Sequence, residues 1–213
     1  GYGFPVSVVA WGSGMSVLYS YLAIPLFYFF GPTLTVYRIP QAVIGILGVY
    51  AAYVLGREIQ EEKFGLLFAF VLAINPWNIM NTRFGLDANM APDMFLIAVT
   101  LLVLAIRKKP MYYVAAAIAM GLTLYCYALS WIVIPIFLLL FLLLYRKRIR
   151  IGKELIISIV VLGVMACPLL YFVGVNLNLL PEIKTRFFSI PKLLAFRGEE
   201  INIAHMIDSA KIV

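Results

Sequence analysis

The chain has 213 residues, 64% of them hydrophobic and 13% charged, against about 45–50% apolar and about 25% charged in an ordinary soluble domain. A water-facing domain of this size cannot bury so much apolar surface, and two cysteines, one histidine and the absence of any low-complexity run exclude a disulfide scaffold, a collagen-like repeat and disorder. The excess faces lipid, so the composition describes a multi-pass, all-α membrane protein. The net charge of +7 does not signal nucleic acid, because the 17 Lys and Arg fall in short clusters between long apolar runs and form no aromatic-interleaved face.

Residues 1–14 carry no charge and are glycine-rich around Trp11, which suits a loop on the membrane rim. Residues 16–30 form a short apolar run with Pro25 inside and Ser16 and Ser20 one helical turn apart. Such a run fits an interfacial juxtamembrane helix better than a span. Six windows then supply the 20 or so mainly apolar residues that a spanning helix needs: 36–55, 65–82, 88–106, 111–129, 130–145 and 154–175. The stretch from 111 to 145 is uncharged and too long for one crossing at about 1.5 Å per residue. Tyr125, Tyr127 and Ser130, followed by Pro135, mark the place where it folds back. The expected organisation is one transmembrane domain: an outer loop with its juxtamembrane helix over 1–35, six spans over 36–175, and a second outer loop over 176–213.

Orientation follows from the short loops. Arg57 and Lys63, then Arg107, Lys108 and Lys109, then Arg146, Lys147, Arg148, Arg150 and Lys153 occupy alternate connections. These connections read as cytoplasmic. The intervening ones hold Arg83 alone, and with the tail from Asn176 onward they fall on the outer side. Cys126 and Cys167 lie in apolar runs and read as buried thiols. The chain opens at Gly1 without a basic-then-apolar leader and reads as an internal piece of a longer protein.

Candidate chemistry concentrates in the polar segment 75–93, which contains Arg83, Asp87 and Asp93. An ionisable residue at a membrane boundary is costly unless paired or used. Asp93 follows Pro92 and is explained by a first helical turn, where the helix dipole favours an acid. Asp87 reads equally as an N-cap of the span beginning at Ala88 or as a catalytic carboxylate, and Arg83 stands where it pairs with Asp87 across one turn. Arg38, at the outer start of a span, suits a lipid phosphate or snorkelling to headgroups. Lys184, Arg186, Lys192 and Arg197, with Phe187 and Phe188 among them, form a basic aromatic stretch that suits an anionic lipid head or a solvated loop. His205 stands alone and reads as structural. No phosphate-binding loop, dinucleotide fingerprint, zinc spacing or Ser-His-Asp pattern is present. No soluble cofactor is therefore expected, and a divalent metal is left open.

The run from Phe4 to Pro40 (FPVSVVAWGSGMSVLYSYLAIPLFYFFGPTLTVYRIP), TRFGLDANM from Thr82 to Met90 and LPEIKTRFFSIPKL from Leu180 to Leu194 resemble the bacterial branch of the GT-C membrane glycosyltransferases. These are relatives of the dolichyl-phosphate-mannose protein mannosyltransferases and of the lipid A aminoarabinose transferase. In that family an amphipathic juxtamembrane helix precedes a span opening with Arg-Leu/Ile-Pro, matched by 16–30 and Arg38-Ile39-Pro40. An Arg-x-x-x-Asp pattern in the second outer loop is matched by Arg83 and Asp87.

The resemblance implies transfer of a sugar from a polyprenyl-phosphate carrier to a lipid, glycan or protein hydroxyl on the outer face of a bacterial plasma membrane, by inverting displacement. It makes Asp87 a site residue, with Arg83, Arg38, Lys192 and Arg197 as substrate-binding cations. It also places the family's principal acid in a first outer loop that would precede Gly1. Leu124-Tyr-Cys-Tyr-Ala-Leu-Ser130 stands where many members carry Lys-Gly-Pro, so the resemblance does not extend to phosphate contacts at that turn. A transporter or flippase is the competing reading and a non-catalytic membrane subunit the third. Charges at the rim, and not at the bilayer midplane, favour the transferase.

Overall fold

The computed structural model describes residues 4–10, 13–149, 151–185 and 188–193. The chain divides into two compact units, one of residues 16–167 and one that joins 1–15 to 168–213.

The larger unit is an all-α bundle of apolar helices. It opens with α1 (Leu18–Phe30), 13 residues with Pro25 inside, closed by Gly31 at φ 79°. At about 20 Å, α1 is too short to cross a bilayer. Thr33 then caps α2 (Leu34–Ile59), its hydroxyl accepting from the Val36 amide at 3.3 Å. The expected span over 65–82 is two helices, α3 (Glu62–Ile74) and α4 (Pro76–Arg83), bent by 61°. The break has a local cause: Pro76 has no amide hydrogen for the ladder, and the Asn75 side chain accepts from the Trp77 amide at 2.9 Å, starting a new helix. The next helix is α5 (Asp87–Arg107), followed by α6 (Tyr112–Leu124), α7 (Ser130–Tyr145) and α8 (Lys153–Asn176).

Of these, α2, α5 and α8 are long and apolar enough to cross a membrane, and the bent α3–α4 pair makes a fourth if counted as one span. All six expected spans coincide with helices; α7 has the expected bounds and 16 residues, whereas α6, at 13 residues, is shorter than foreseen. The α6 helix stops at Leu124 because the final turn tightens, with the Tyr125 amide donating to Leu122 and Thr123, while the Trp131 indole donates to the Leu124 carbonyl at 2.8 Å. The chain reverses at 125–129, where the sequence placed the hairpin. Tyr125 ties this turn to α8 by donating to the Met165 carbonyl at 2.8 Å.

Lipid is as apolar as leucine, so helices in a membrane associate through close packing and hydrogen bonds and not through the hydrophobic effect. The α2–α3 crossing shows this: a Cβ on Gly65 would meet the Tyr53 carbonyl oxygen at 2.6 Å, and one on Gly56 would meet Gly65 Cα at 2.9 Å. Beside it α2 and α5 run parallel, joined along their length at three levels. The Gln41 side chain donates to the Asn89 carbonyl at 3.1 Å, Asp93 packs on Gly48, and the Thr100 hydroxyl lies 3.2 Å from the Ala51 carbonyl. Asp93 is therefore not in the first turn of its helix. It is the seventh residue of α5 and is 3% exposed, because α5 begins at Asp87, ahead of Pro92. Cys126 is buried as expected, but Cys167 is exposed on α8, since an apolar run facing lipid leaves its thiol outside the protein core.

The smaller unit holds short strands that the glycine-rich composition did not foretell. Strand β1 (Phe4–Pro5) pairs in parallel with β5 (Phe188–Ile190), which pairs antiparallel with β4 (Ile183–Lys184). Strands β2 (Val8–Ala10) and β3 (Ser13–Met15) form an antiparallel pair, and Ser7 donates to the Met15 carbonyl at 3.1 Å. Asn176 anchors this unit: its carbonyl oxygen accepts from the Leu193 amide at 2.7 Å and its amide donates to Phe172 at 2.8 Å.

Candidate functional site at the end of the bundle away from the basic loops

Three segments of the larger unit meet at the end away from the basic connections: the start of α1, the α4–α5 junction and the α6–α7 turn. Tyr19, Met90, Met94 and Cys126 form a buried cluster there, with Tyr37 packed against it. The Tyr19 hydroxyl donates to the Tyr37 carbonyl at 2.5 Å, and the two rings meet edge to face at 4.9 Å. The junction fits over them because residue 85 is glycine: a Cβ there would lie 2.5 Å from the Tyr19 hydroxyl oxygen and 2.8 Å from the Tyr37 ring.

Asp87, two residues on, is the first residue of α5, and Leu86 occupies the cap position without a side-chain hydrogen bond. Its carboxylate lies within electrostatic reach of Tyr19, Tyr37 and Cys126, and its Oδ2 is buried without a hydrogen-bond partner. Burial, and secondarily the Asp87 charge, pushes the Cys126 thiol up to about 12. The expected Arg83–Asp87 pair across one turn does not form. Helix α4 ends at Arg83 and a new helix begins at Asp87, so the two do not share a helical face, and Arg83 is exposed. Arg38 is also exposed, one turn inside α2. It reaches this cluster electrostatically through Tyr19.

On the other side of the junction, α4, α5, the α6–α7 turn and the start of α7 enclose a cavity of about 460 Å³, within the range of small-molecule sites. Its wall includes Pro92, Phe95 and Ile134, and Trp77, Asn81, Asn89, Tyr127 and Ser130 bring polar atoms to it. Asn89 is already engaged, its amide donating to the Asn81 and Phe84 carbonyls at 3.4 and 3.3 Å. Ser130 is 6% exposed. Asp87, Arg83 and Arg38 do not line the cavity, but Ala88 and Asn89, the residues after Asp87, do. The site thus has two faces on one helix start: a carboxylate turned to the tyrosines and a neutral cavity behind it.

Lys192 lies in the smaller unit, exposed, with its backbone amide donating to the Glu182 carboxylate at 2.7 Å. Arg186, Phe187, Arg197 and His205 lie outside the described residues, as do the side chains of Lys184 and Phe188. The sequence reading did not single out as candidates Trp77, Asn81 or Ser130, which line the cavity. Trp77 and Asn81 belong to the polar segment it singled out, and the signal was their lack of charge, which made them look like loop.

The family model described as dolichyl-phosphate-mannose-protein mannosyltransferase matches residues 15–172. No curated protein and no solved structure matches the chain.

Proposed function

We propose, from the premise that the chain belongs to the dolichyl-phosphate-mannose-protein mannosyltransferase family of membrane glycosyltransferases, that it moves a sugar from a polyprenyl-phosphate carrier to a hydroxyl acceptor on the extracytoplasmic side. The observation that carries the reading to particular residues is the buried, unpartnered Oδ2 of Asp87 beside a ligand-sized cavity.

The acceptor oxygen attacks the anomeric carbon, the bond from that carbon to the phosphate oxygen breaks, and configuration inverts. The carrier leaves as polyprenyl phosphate. The acceptor proton passes to a carboxylate, a transfer worth on the order of 10²–10⁴-fold. In this reading Asp87 orients the acceptor or the sugar, and the first-loop acid that the resemblance implies takes the proton. Polyprenyl phosphate is a weak base, so its departure calls for cations more than for a strong general acid. Arg83 and Arg38, both exposed at this end of the bundle, suit that role, with Lys192 and Arg197 further candidates for anionic lipid. The basic connections support a cytoplasmic assignment for the opposite end, and the resemblance to the bacterial branch implies a bacterial plasma membrane as the setting.

The test is transfer of radiolabelled sugar from polyprenyl-phosphate donors by the purified full-length protein. Wild-type transfer that falls about 100-fold or more in Asp87→Asn, with folding unchanged, is expected. A transporter is the second reading, favoured by the bent α3–α4 pair, since discontinuous helices often build transport sites. Substrate-dependent flux in proteoliposomes, with no transfer from any donor, would establish it instead.

A further inference from the structure

We infer, resting on the transferase reading, that Gln41 of α2 is a positioning residue: through the Asn89 carbonyl it holds the first turn of α5 and so fixes the place of the Asp87 carboxylate. Gln41 is fully buried at the seam between α2 and α5, and its side-chain amide donates to the Asn89 carbonyl at 3.1 Å. Asn89 in turn clasps the junction before it. Its backbone amide donates to the Leu86 carbonyl at 3.1 Å, and its side-chain amide donates to the Asn81 and Phe84 carbonyls at 3.4 and 3.3 Å. Asp87 stands between these anchored points, two residues before Asn89.

The local chain explains why this turn needs a hold from outside its own helix. Pro92 has no amide hydrogen, so the ladder bond that would return to Ala88 is missing, and Leu86 supplies no side-chain cap. The turn that carries Asp87 is therefore tied to the rest of α5 less firmly than in an uninterrupted helix, and the bond from α2 arrives one residue from the missing one. Stability does not account for the glutamine. Its Oε1 is buried without a partner, a cost that an apolar side chain of similar volume would not carry, and the Asn89 carbonyl sits inside a helix with a ladder partner of its own. Methionine would fill the seam, but it cannot donate to Asn89.

The test measures sugar transfer from a polyprenyl-phosphate donor by the full-length protein carrying Gln41→Met, Asp87→Asn or both, with Gln41→Leu as a second apolar replacement if Gln41→Met does not accumulate. Gln41→Met should lower kcat about tenfold or more and change KM less than about threefold, because small displacements of a group at the reacting centre are costly. Its unfolding midpoint should stay level or rise. In the Asp87→Asn background the same change should alter the residual kcat less than about twofold, since no carboxylate remains to be placed. Hydrogen exchange should quicken at the amides of 86–91 and hold elsewhere in the bundle. A merely structural glutamine would instead lower the midpoint and cut transfer by the same factor in both backgrounds. That result overturns the inference, as does failure of both apolar variants to fold, or Gln41→Met that transfers like wild type while Asp87→Asn does not; in each case the transferase reading stands. If wild type transfers from no donor, the transferase reading falls and the inference with it.

Discussion

The two ends of the helical unit are built to opposite rules. At the end with the basic connections, Glu58 is 9% exposed and lies 3.4 Å from Lys108 and 3.7 Å from Arg57. Arg57 covers the Tyr53 ring at 5.4 Å, and Gly56 and Gly65 close the α2–α3 crossing to backbone contact. Charge there has a partner and space is filled. At the other end Asp87 Oδ2 and Gln41 Oε1 are buried without partners, and a cavity of about 460 Å³ stays open. Unmatched buried polar groups cost stability, and these two oxygens together with the cavity single out this end as the candidate site.

The largest test of this contrast is at Asp87. Asp87→Asn should cost about 100-fold or more in transfer with thermal unfolding almost unchanged; a protein that loses stability and activity together would make Asp87 structural. The mirror experiment is Gly65→Ala at the closed end. Its methyl group meets the Tyr53 carbonyl, and overpacking of about 1–3 kcal/mol should lower the unfolding midpoint while kcat of the surviving protein holds. Gly85→Ala lies between the two: its methyl group displaces Tyr19 and Tyr37, so activity should fall through misplacement of Asp87, with a smaller loss of stability. Glu58→Gln should change stability by less than about 1 kcal/mol, because Lys108 and Arg57 are roughly half exposed and water screens them.

The smallest effect is chemical. With its thiol pushed up to about 12, Cys126 carries less thiolate at neutral pH than an ordinary cysteine and should resist alkylation. Labelling should rise only as pH climbs toward that value. Mass spectrometry after treatment with a membrane-permeant reagent should find Cys167 modified first.

Much of the bundle was legible because lipid imposes a length and a hydropathy that a one-dimensional reading can count. The hairpin at 125–129 lies where the sequence placed it, but the break at Asn75–Pro76 was hidden inside what read as one span over 65–82. The strands of the smaller unit were not legible. Phe4–Pro5 and Phe188–Ile190 are 183 residues apart at their nearest ends and gain meaning only when paired. The site was half legible. The residue types in Arg-x-x-x-Asp drew attention to Asp87, but helical spacing suggested a pair with Arg83 that the chain reversal forbids. Ser130 was read as a turn marker, since nothing in a sequence shows that a residue at a hairpin also lines a cavity.

The 61° bend at Asn75–Pro76 has a kinetic consequence. Trp77 on α4, with Leu129 and Val133, lines the cavity and is exposed on the bundle surface, so on the transferase reading the cavity can be approached from the side of the bundle. On that proposed reading, a substrate tethered to the bilayer arrives by lateral diffusion in two dimensions. Its saturation would follow mole fraction in the membrane, so diluting the donor with inert lipid at constant bulk concentration should slow the enzyme, just as depletion of the donor would.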